Sequence, residues 1–320
     1  MKNFLIVLFA IIIIGCSTEN QNDVSLALDW YPNSNHSGIY SAIDQGFFES
    51  QDINLDVYTP SDPTAIISAV ASGRDDFGLS YHPDILQAQS AGLEIVSVLS
   101  ISQHPLNSIM TLTESNIKSP EDLYGKVIGY PGIPSNKAML ETVLANQGLG
   151  INDVETIDVG FELVKALVSG SVDAIIGAYW THESIVMELQ GYDVNIMKLE
   201  EWGVPDYYEL ILITNKDFLE ENLEVVEKVV NSFKKGYEYA IENPEKSIDS
   251  LVKIAGPEIV EEEVERAGIK LLIPVWQSNN KPFGFQEKSK WIETYDWMYK
   301  NDFLEKELNI DDLFVKDFSN

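Results

Sequence analysis

The sequence predicts an α/β chain built as two similar lobes. Three observations carry that prediction. Short β-rich runs alternate with helical patterns as far as about residue 214, which is how helices layered on largely parallel sheets read. A helix–turn–strand signature occurs twice. The chain of 320 residues also exceeds what a single hydrophobic core ordinarily organises.

The start of the chain stands apart. Lys2 is followed by an unbroken apolar run from Phe4 to Ile14, then by Gly15 and Cys16. A charged start, a short apolar stretch and a small residue at the cut compose a secretory signal. The run is about eleven residues, roughly half of what a spanning helix needs. Ile13-Ile14-Gly15-Cys16 resembles a bacterial lipobox, with isoleucine where leucine is usual. The resemblance implies cleavage after residue 15 and a lipid on Cys16, placing the protein on the outer face of a cell membrane. A signal cut elsewhere, or an uncleaved anchor, is the alternative. Cys16 is the only cysteine in the chain, so no disulfide is available. The polar stretch 16–23 then reads as a lipidated residue and tether.

Strands are expected at 24–30, 55–59, 77–81, 95–101, 127–130, 156–159, 174–179, 195–199 and 210–214, with helices at 38–50, 64–72, 83–91, 136–147, 162–169 and 183–190. From Lys216 onward the pattern is almost wholly helical, punctuated by Pro244, Gly256-Pro257, Gly268 and the 282–284 turn. In the last of these helices Trp291, Tyr295 and Tyr299 recur at four-residue spacing, as a packing face would.

The repeat joins the two halves. Residues 65–78 read AIISAVASGRDDFG and residues 162–177 read ELVKALVSGSVDAIIG. Each is an apolar helix, a Ser-Gly step, an Asp three residues past the glycine, and a strand. The glycine is placed to take the left-handed conformation that ends a helix. Ser72-Gly73 with Asp76 thus matches Ser169-Gly170 with Asp173. The expected division is 24–111 plus 210–320 as the first lobe and 112–209 as the second, with hinges near 109–112 and 210–214.

Charge excludes one class of partner. Fifty-one acidic residues against twenty-one basic give a formal net charge of −30, which repels a phosphate backbone and argues against nucleic acid.

In open α/β sheets ligands sit beyond the carboxyl ends of strands. The segments expected there contain Trp30, Tyr31, Asn33, Asn35, His36, Tyr81, His82, Asn136, Tyr179, Trp180, His182 and Glu183, with no arginine among them. An anion receptor calls for arginine or lysine forks. Aromatics, amides and one carboxylate instead suit a flat, neutral or weakly cationic ring. The four histidines, His36, His82, His104 and His182, show neither HxxxH nor HxH spacing. A metal receptor therefore stays an alternative without a ligating motif. No GxSxG elbow is present either.

Several motifs together carry a family resemblance: the stretch 28–33 (LDWYPN) with Asn35, His36, Gly38 and Tyr40; Gly129-Tyr130-Pro131-Gly132; Gly177-Ala178-Tyr179-Trp180 with Glu183; and Gly203-Val204-Pro205 with Tyr207-Tyr208-Glu209. Over about residues 24–254 the chain resembles the thiamine-pyrimidine binding family, solute-binding proteins of ABC importers. The resemblance implies a two-lobed periplasmic-binding-protein fold of type II, each lobe a mainly parallel sheet flanked by helices, with two hinge crossings. It also implies an ABC permease as partner, no cofactor, and formylaminopyrimidine or hydroxymethylpyrimidine as ligand. An anion such as sulfonate or nitrate, bound elsewhere in the wider superfamily, is the nearer alternative. A eukaryotic relative is a pyrimidine synthase that reacts through a lysine-bound pyridoxal phosphate and a histidine. Ser80 and Asp84 stand at those two positions here, and the synthase's cysteine-rich run is missing. The resemblance therefore favours a receptor over an enzyme.

It also directs attention to Trp30, Asn35, His36, Tyr81, Tyr179 and Glu183. Glu183 is either a carboxylate that accepts from the amine and ring nitrogen of an aminopyrimidine, or a charge complementing the start of its own helix. Trp30 and Tyr179 either stack on the ring or fill the core. His36 either donates to the ligand or caps the first turn of its helix.

Overall fold

A computed structural model describes residues 23–277, 281–316 and 318. The expected signal sequence at 1–15, Cys16 and the tether as far as residue 22 lie outside the described residues. Among those described, no helix is long and apolar enough to cross a membrane.

Among the described residues ten strands form two five-stranded sheets. The first contains β1 (Asp23–Ala27), β2 (Asn54–Tyr58), β3 (Phe77–Ser80) and β4 (Ile95–Ser100). The second contains β5 (Asn107–Leu112), β6 (Val127–Tyr130), β7 (Glu155–Asp158), β8 (Ala174–Tyr179) and β9 (Val194–Lys198), and β10 (Ile211–Asn215) returns to the first. The orders are β2-β1-β3-β10-β4 and β7-β6-β8-β5-β9. In each sheet the first three strands run parallel, and the inserted strand, β10 or β5, is antiparallel to both neighbours. Four strands of each sheet therefore run in one direction, the mainly parallel arrangement expected, and the one inserted strand that opposes them makes the sheet mixed.

The repeat has a physical basis in these sheets. Gly73 and Gly170 both take positive φ, +70° and +72°. The aspartate that follows each pins the neighbouring parallel strand. Asp76 Oδ2 accepts from the Ser25 backbone N–H at 2.9 Å, and Asp173 Oδ2 accepts from the Val127 N–H at 2.9 Å.

β5 is a strand that the sequence pattern does not announce, and the hinge expected at 109–112 falls inside it. Its sequence, NSIMTL, mixes polar and apolar residues, yet all but the last are buried. Folding supplies the missing partners: Ser108 Oγ donates to the Ala178 carbonyl and Thr111 Oγ1 to the Ile117 carbonyl, each at 2.8 Å. Residues 107–111 therefore pair in the second sheet, and the first crossing occupies 101–106. The second crossing likewise ends before β10, earlier than the expected 210–214. The two crossings lie side by side, Ile101 N–H donating to the Leu210 carbonyl at 2.7 Å and Glu209 N–H to the Ser102 carbonyl at 3.1 Å.

The helices are α1 (Ser37–Asp44), α2 (Ile66–Ala71), α3 (His82–Ser90), α4 (Pro134–Ala145), α5 (Leu163–Val168), α6 (Glu183–Leu189), α7 (Lys216–Glu221), α8 (Leu223–Glu242), α9 (Pro244–Ala255), α10 (Glu262–Trp276) and α11 (Lys288–Lys300). α8 buries Val226, Val229, Val230, Phe233, Tyr237 and Ala240, one face at three- and four-residue spacing, in the core built around β1, β3 and β4. Trp291 of α11 is fully buried, stacked 5.1 Å from Phe314, so it belongs to a packing face, while Tyr299 remains 43% exposed.

α8 meets α1 backbone to backbone. A β-carbon at Gly236 would fall 2.1 Å from the Gly38 carbonyl oxygen and 2.7 Å from Ala42 Cβ. This approach lets the Tyr237 hydroxyl donate to the Asn35 carbonyl at 2.6 Å, anchoring the loop that leads to the cleft. Gly236→Ala should destabilise the protein by about 1–3 kcal/mol through overpacking. An unchanged midpoint in urea unfolding would contradict so close a contact.

Candidate ligand-binding cleft

The carboxyl ends of the parallel strands in both sheets face one cleft, the position expected for open α/β sheets. Its empty volume is about 460 Å³, counting solvent at the mouth. β1 delivers Asp29 and Trp30, β3 delivers Tyr81, and β8 delivers Gly177 and Tyr179 ahead of His182 and Glu183; the turn after β6 adds Pro131, the first turn of α4 adds Ser135 and Asn136, β5 adds Asn107, and the second crossing adds Glu209. Gly177, at φ +97°, is required here: a β-carbon would meet the Pro131 ring at 2.7 Å.

Trp30, Tyr81, Tyr179 and Glu183, all singled out from the sequence, come together in this lining. Asn35 and His36 do not. Both are buried behind it. Asn35 Oδ1 lies 3.4 Å from Trp276 Nε1 and from Ser102 Oγ, accepting from each. His36 Nδ1 accepts from the Asn33 N–H at 3.2 Å, which leaves the proton on Nε2 to be donated to Asp29 Oδ1 at 2.8 Å. It closes a capping box with Asn33 and orients an acid in the cleft wall.

Three carboxylates line the cleft. Asp29 Oδ2 also accepts from the Tyr81 hydroxyl at 3.0 Å. Glu183 Oε2 accepts from the Tyr179 N–H at 2.8 Å, and its Oε1 lies 3.1 Å from His182 Nδ1. Glu209 Oε2 accepts from the N–H groups of Leu106 (2.6 Å) and Asn107 (2.9 Å) and from the Tyr207 hydroxyl (2.9 Å). Burial nonetheless pushes Glu209 up to about 7, because three donors only partly offset the loss of solvent. Burial likewise raises the Tyr81 and Tyr179 hydroxyls well above their ordinary range, with neighbouring carboxylates adding to it. Asn136 Oδ1 is buried without a hydrogen-bond partner among the described residues, a condition that a bound polar molecule relieves.

Asp29 and Glu209 were missed from the sequence. Both have a readable sign: an acid set among apolar or aromatic residues at a strand end, in Leu28-Asp29-Trp30 and in Tyr207-Tyr208-Glu209-Leu210. The lobes also touch at the rim. Trp30 meets Phe161 edge-on with centroids 4.4 Å apart. Ser135 Oγ donates to Asp84 Oδ2 at 2.8 Å, and burial pushes Asp84 up to about 7 against that bond.

The four histidines stand apart. His36 faces Asp29, His104 faces Asp206, and His182 lies between Glu183 and Glu265. His82 packs 3.9 Å from the Trp291 ring, and burial lowers its pKa, with Lys290 adding to the effect. Among the described residues no group of three or more His, Cys, Asp or Glu side chains is placed to hold a metal.

A carboxyl with a raised folded-state pKa holds its proton more tightly when folded. Its stabilisation is full at acid pH and is lost as pH rises through about 7, the folded value of Glu209. The wild type should therefore lose about 1–3 kcal/mol more than Glu209→Gln between pH 5 and pH 8. Chemical unfolding of both proteins at the two pH values measures this; parallel losses would show that Glu209 does not titrate there.

Comparison with known proteins places the chain. The family model described as "NMT1/THI5 like" matches residues 33–247. The formylaminopyrimidine-binding protein of Halalkalibacterium halodurans is 38% identical over 327 residues, covering 98% of each chain. A 4-amino-5-hydroxymethyl-2-methylpyrimidine phosphate synthase of Saccharomyces cerevisiae is 26% identical over 237 residues, 70% of this chain and 68% of its own. In fold, the chain is similar to the alkanesulfonate-binding protein SsuA from Xanthomonas axonopodis pv. citri, with a TM-score of 0.72 and 16% identity over 92% of this chain and 98% of that one. The family model spans most of the chain and the bacterial relative nearly all of it: the chain belongs to the NMT1/THI5-like family.

Proposed function

We propose that this chain is an extracytoplasmic solute-binding protein that captures a thiamine pyrimidine precursor, formylaminopyrimidine or hydroxymethylpyrimidine, and delivers it to an ABC permease. One observation carries the reading: the cleft is walled by Trp30, Tyr81 and Tyr179 and edged by Asp29, Glu183 and Glu209, and among the described residues no lysine or arginine lines it. Such a lining suits a flat ring rich in N–H donors. Glu183 accepts from the exocyclic amine and, when the ring nitrogen is protonated, from that as well. Asn136 Oδ1 is a further acceptor within reach of the same space.

The lining disfavours the alternatives. Sulfonate and nitrate carry negative charge, and the acidic wall that includes Asp29 and Glu183 would repel either one in a site of low dielectric. The shared fold with an alkanesulfonate receptor does not bear on the ligand. A synthase activity calls for a reacting amine and imidazole. Ser80 and Asp84 occupy those positions here, and Asp84 is engaged by Ser135. We therefore assign binding without covalent chemistry, and no cofactor.

For delivery, the lipid on Cys16 and the tether through residue 23 would hold the lobes near a permease while leaving them free to close. Cys16→Ala should shift the protein from the membrane to the soluble fraction of cells; unchanged membrane association would remove the anchor from this account.

Glu183→Gln should weaken formylaminopyrimidine binding by tenfold or more in calorimetric titration, as loss of a charge-assisted hydrogen bond of about 1.5–3 kcal/mol requires. Unchanged affinity, or binding of sulfonate in preference to either pyrimidine, would overturn the proposal.

A further inference from the structure

His182 is not assigned a role by the ring-binding reading, yet its setting is unusual. It precedes α6, next to the ligand-facing Glu183, and both its ring nitrogens meet carboxylates. Nδ1 lies 3.1 Å from Glu183 Oε1, and Nε2 lies 3.2 Å from Glu265 Oε1. Ionised carboxylates only accept hydrogen bonds, so an imidazole serving both must donate from both nitrogens, which makes it an imidazolium. The two carboxylates belong to opposite sides of the cleft. Glu183 stands on the helix following β8 of the second sheet, whereas α10, which carries Glu265, packs in the core of the first. Glu265 is itself held: its Oε2 accepts from the Ser34 N–H at 2.5 Å, in the loop after β1. A continuous path thus runs from the Tyr179 N–H through Glu183, His182 and Glu265 to Ser34.

Backbone packing at the same point is close. A β-carbon on Gly268, one turn along α10, would sit 2.8 Å from the Thr181 carbonyl oxygen. The absent side chain is what lets the start of α6 seat against α10.

Resting on the ring-binding reading, we propose that His182 is a positioning residue that straps the two lobes together across the cleft, so that closure on the ligand requires its imidazolium form. Held between two anions, His182 keeps its proton well above the ordinary histidine range, although burial opposes this. On opening, Glu265 departs and the imidazole reverts toward its ordinary value. Closure therefore takes up a proton at pH between the two values. The strap is present below the closed-state value and is lost as pH rises through it. The other charged or titratable groups on this side are Glu261 ahead of α10, the Glu162–Lys165 ion pair (3.0 Å) by α5, and the rim hydroxyls Tyr31 and Tyr192. The Glu162–Lys165 pair is internally balanced.

The test follows formylaminopyrimidine affinity by calorimetry from pH 6 to pH 10, and the radius of gyration of the ligand-free protein by X-ray scattering over the same range. For the wild type, the dissociation constant should rise by up to tenfold per pH unit on the alkaline limb, the bound for one linked proton. The ligand-free molecule should expand over that limb. His182→Gln and Glu265→Gln should both be expanded at every pH, with affinity weakened several-fold and the alkaline limb flattened; subtracting the variant profile removes titration of the ligand itself. Glu265 does not line the ring site; an effect carried by its bond to the Ser34 N–H would weaken affinity equally at every pH, so flattening of the alkaline limb reports the path through His182. Should His182→Gln fail to fold, Glu265→Gln alone decides. A wild-type-like pH profile in Glu265→Gln, with unchanged scattering, would overturn the strap. If the wild type binds no pyrimidine but still opens at alkaline pH, the ligand assignment fails and the strap stands.

Discussion

Each sheet of this molecule is completed by a strand that the chain can supply only after crossing to the other side and, for one of them, returning. β5 enters the second sheet between β8 and β9 after the first crossing, and β10 enters the first between β3 and β4 after the second. Because both inserted strands are antiparallel to their neighbours, the two crossings emerge side by side and bond to each other between 101–102 and 209–210. The carboxyl ends of both sets of parallel strands are thereby turned toward one space. The cleft, its rim contacts and any motion of one lobe against the other all descend from that exchange of strands.

The cleft then concentrates acid in a place where acid is expensive. Asp29, Glu183 and Glu209 are each almost wholly buried, and an unpaired buried carboxylate is strongly disfavoured. Each is held differently. Asp29 takes a histidine and a tyrosine hydroxyl, Glu183 a backbone N–H and an imidazole, and Glu209 two backbone N–H groups and a tyrosine hydroxyl. The donors stand behind or beside the cleft, so the acids are fixed while the space itself stays free for a ligand. His36 exemplifies this arrangement: it touches no open space, yet it sets the direction of Asp29.

Much of the fold was legible because it is written in local patterns. Nine of the ten strands, and every helix between them, follow from apolar runs bounded by glycine and polar turns. The paired Ser-Gly-x-x-Asp signature announced two like halves, and the structure supplies its reason: each Asp ties down the next strand. β5 escaped because Asn107, Ser108 and Thr111 read as polar turn residues, and only the finished sheet provides the carbonyls that satisfy the two hydroxyls. For the same reason the hinge expected at 109–112 falls several residues late. In the site, aromatic residues at strand ends are readable, and Trp30, Tyr81 and Tyr179 converge in the cleft while Tyr31 and Trp180 do not. Asn35 and His36 were readable as polar residues near a strand end but not as to direction, since one helical turn sends them inward rather than toward the ligand.

By itself the sequence determined the α/β class, the twofold internal likeness, the anionic surface and the family, because these are properties of residue type, order and spacing along the chain. Only the tertiary structure decided which polar groups face the cleft, which acids are held by which donors, and that His182 lies between carboxylates from opposite sides. Those facts depend on contacts between residues as distant in sequence as Ser34 and Glu265, and such contacts exist only once the strands have been exchanged between the sheets.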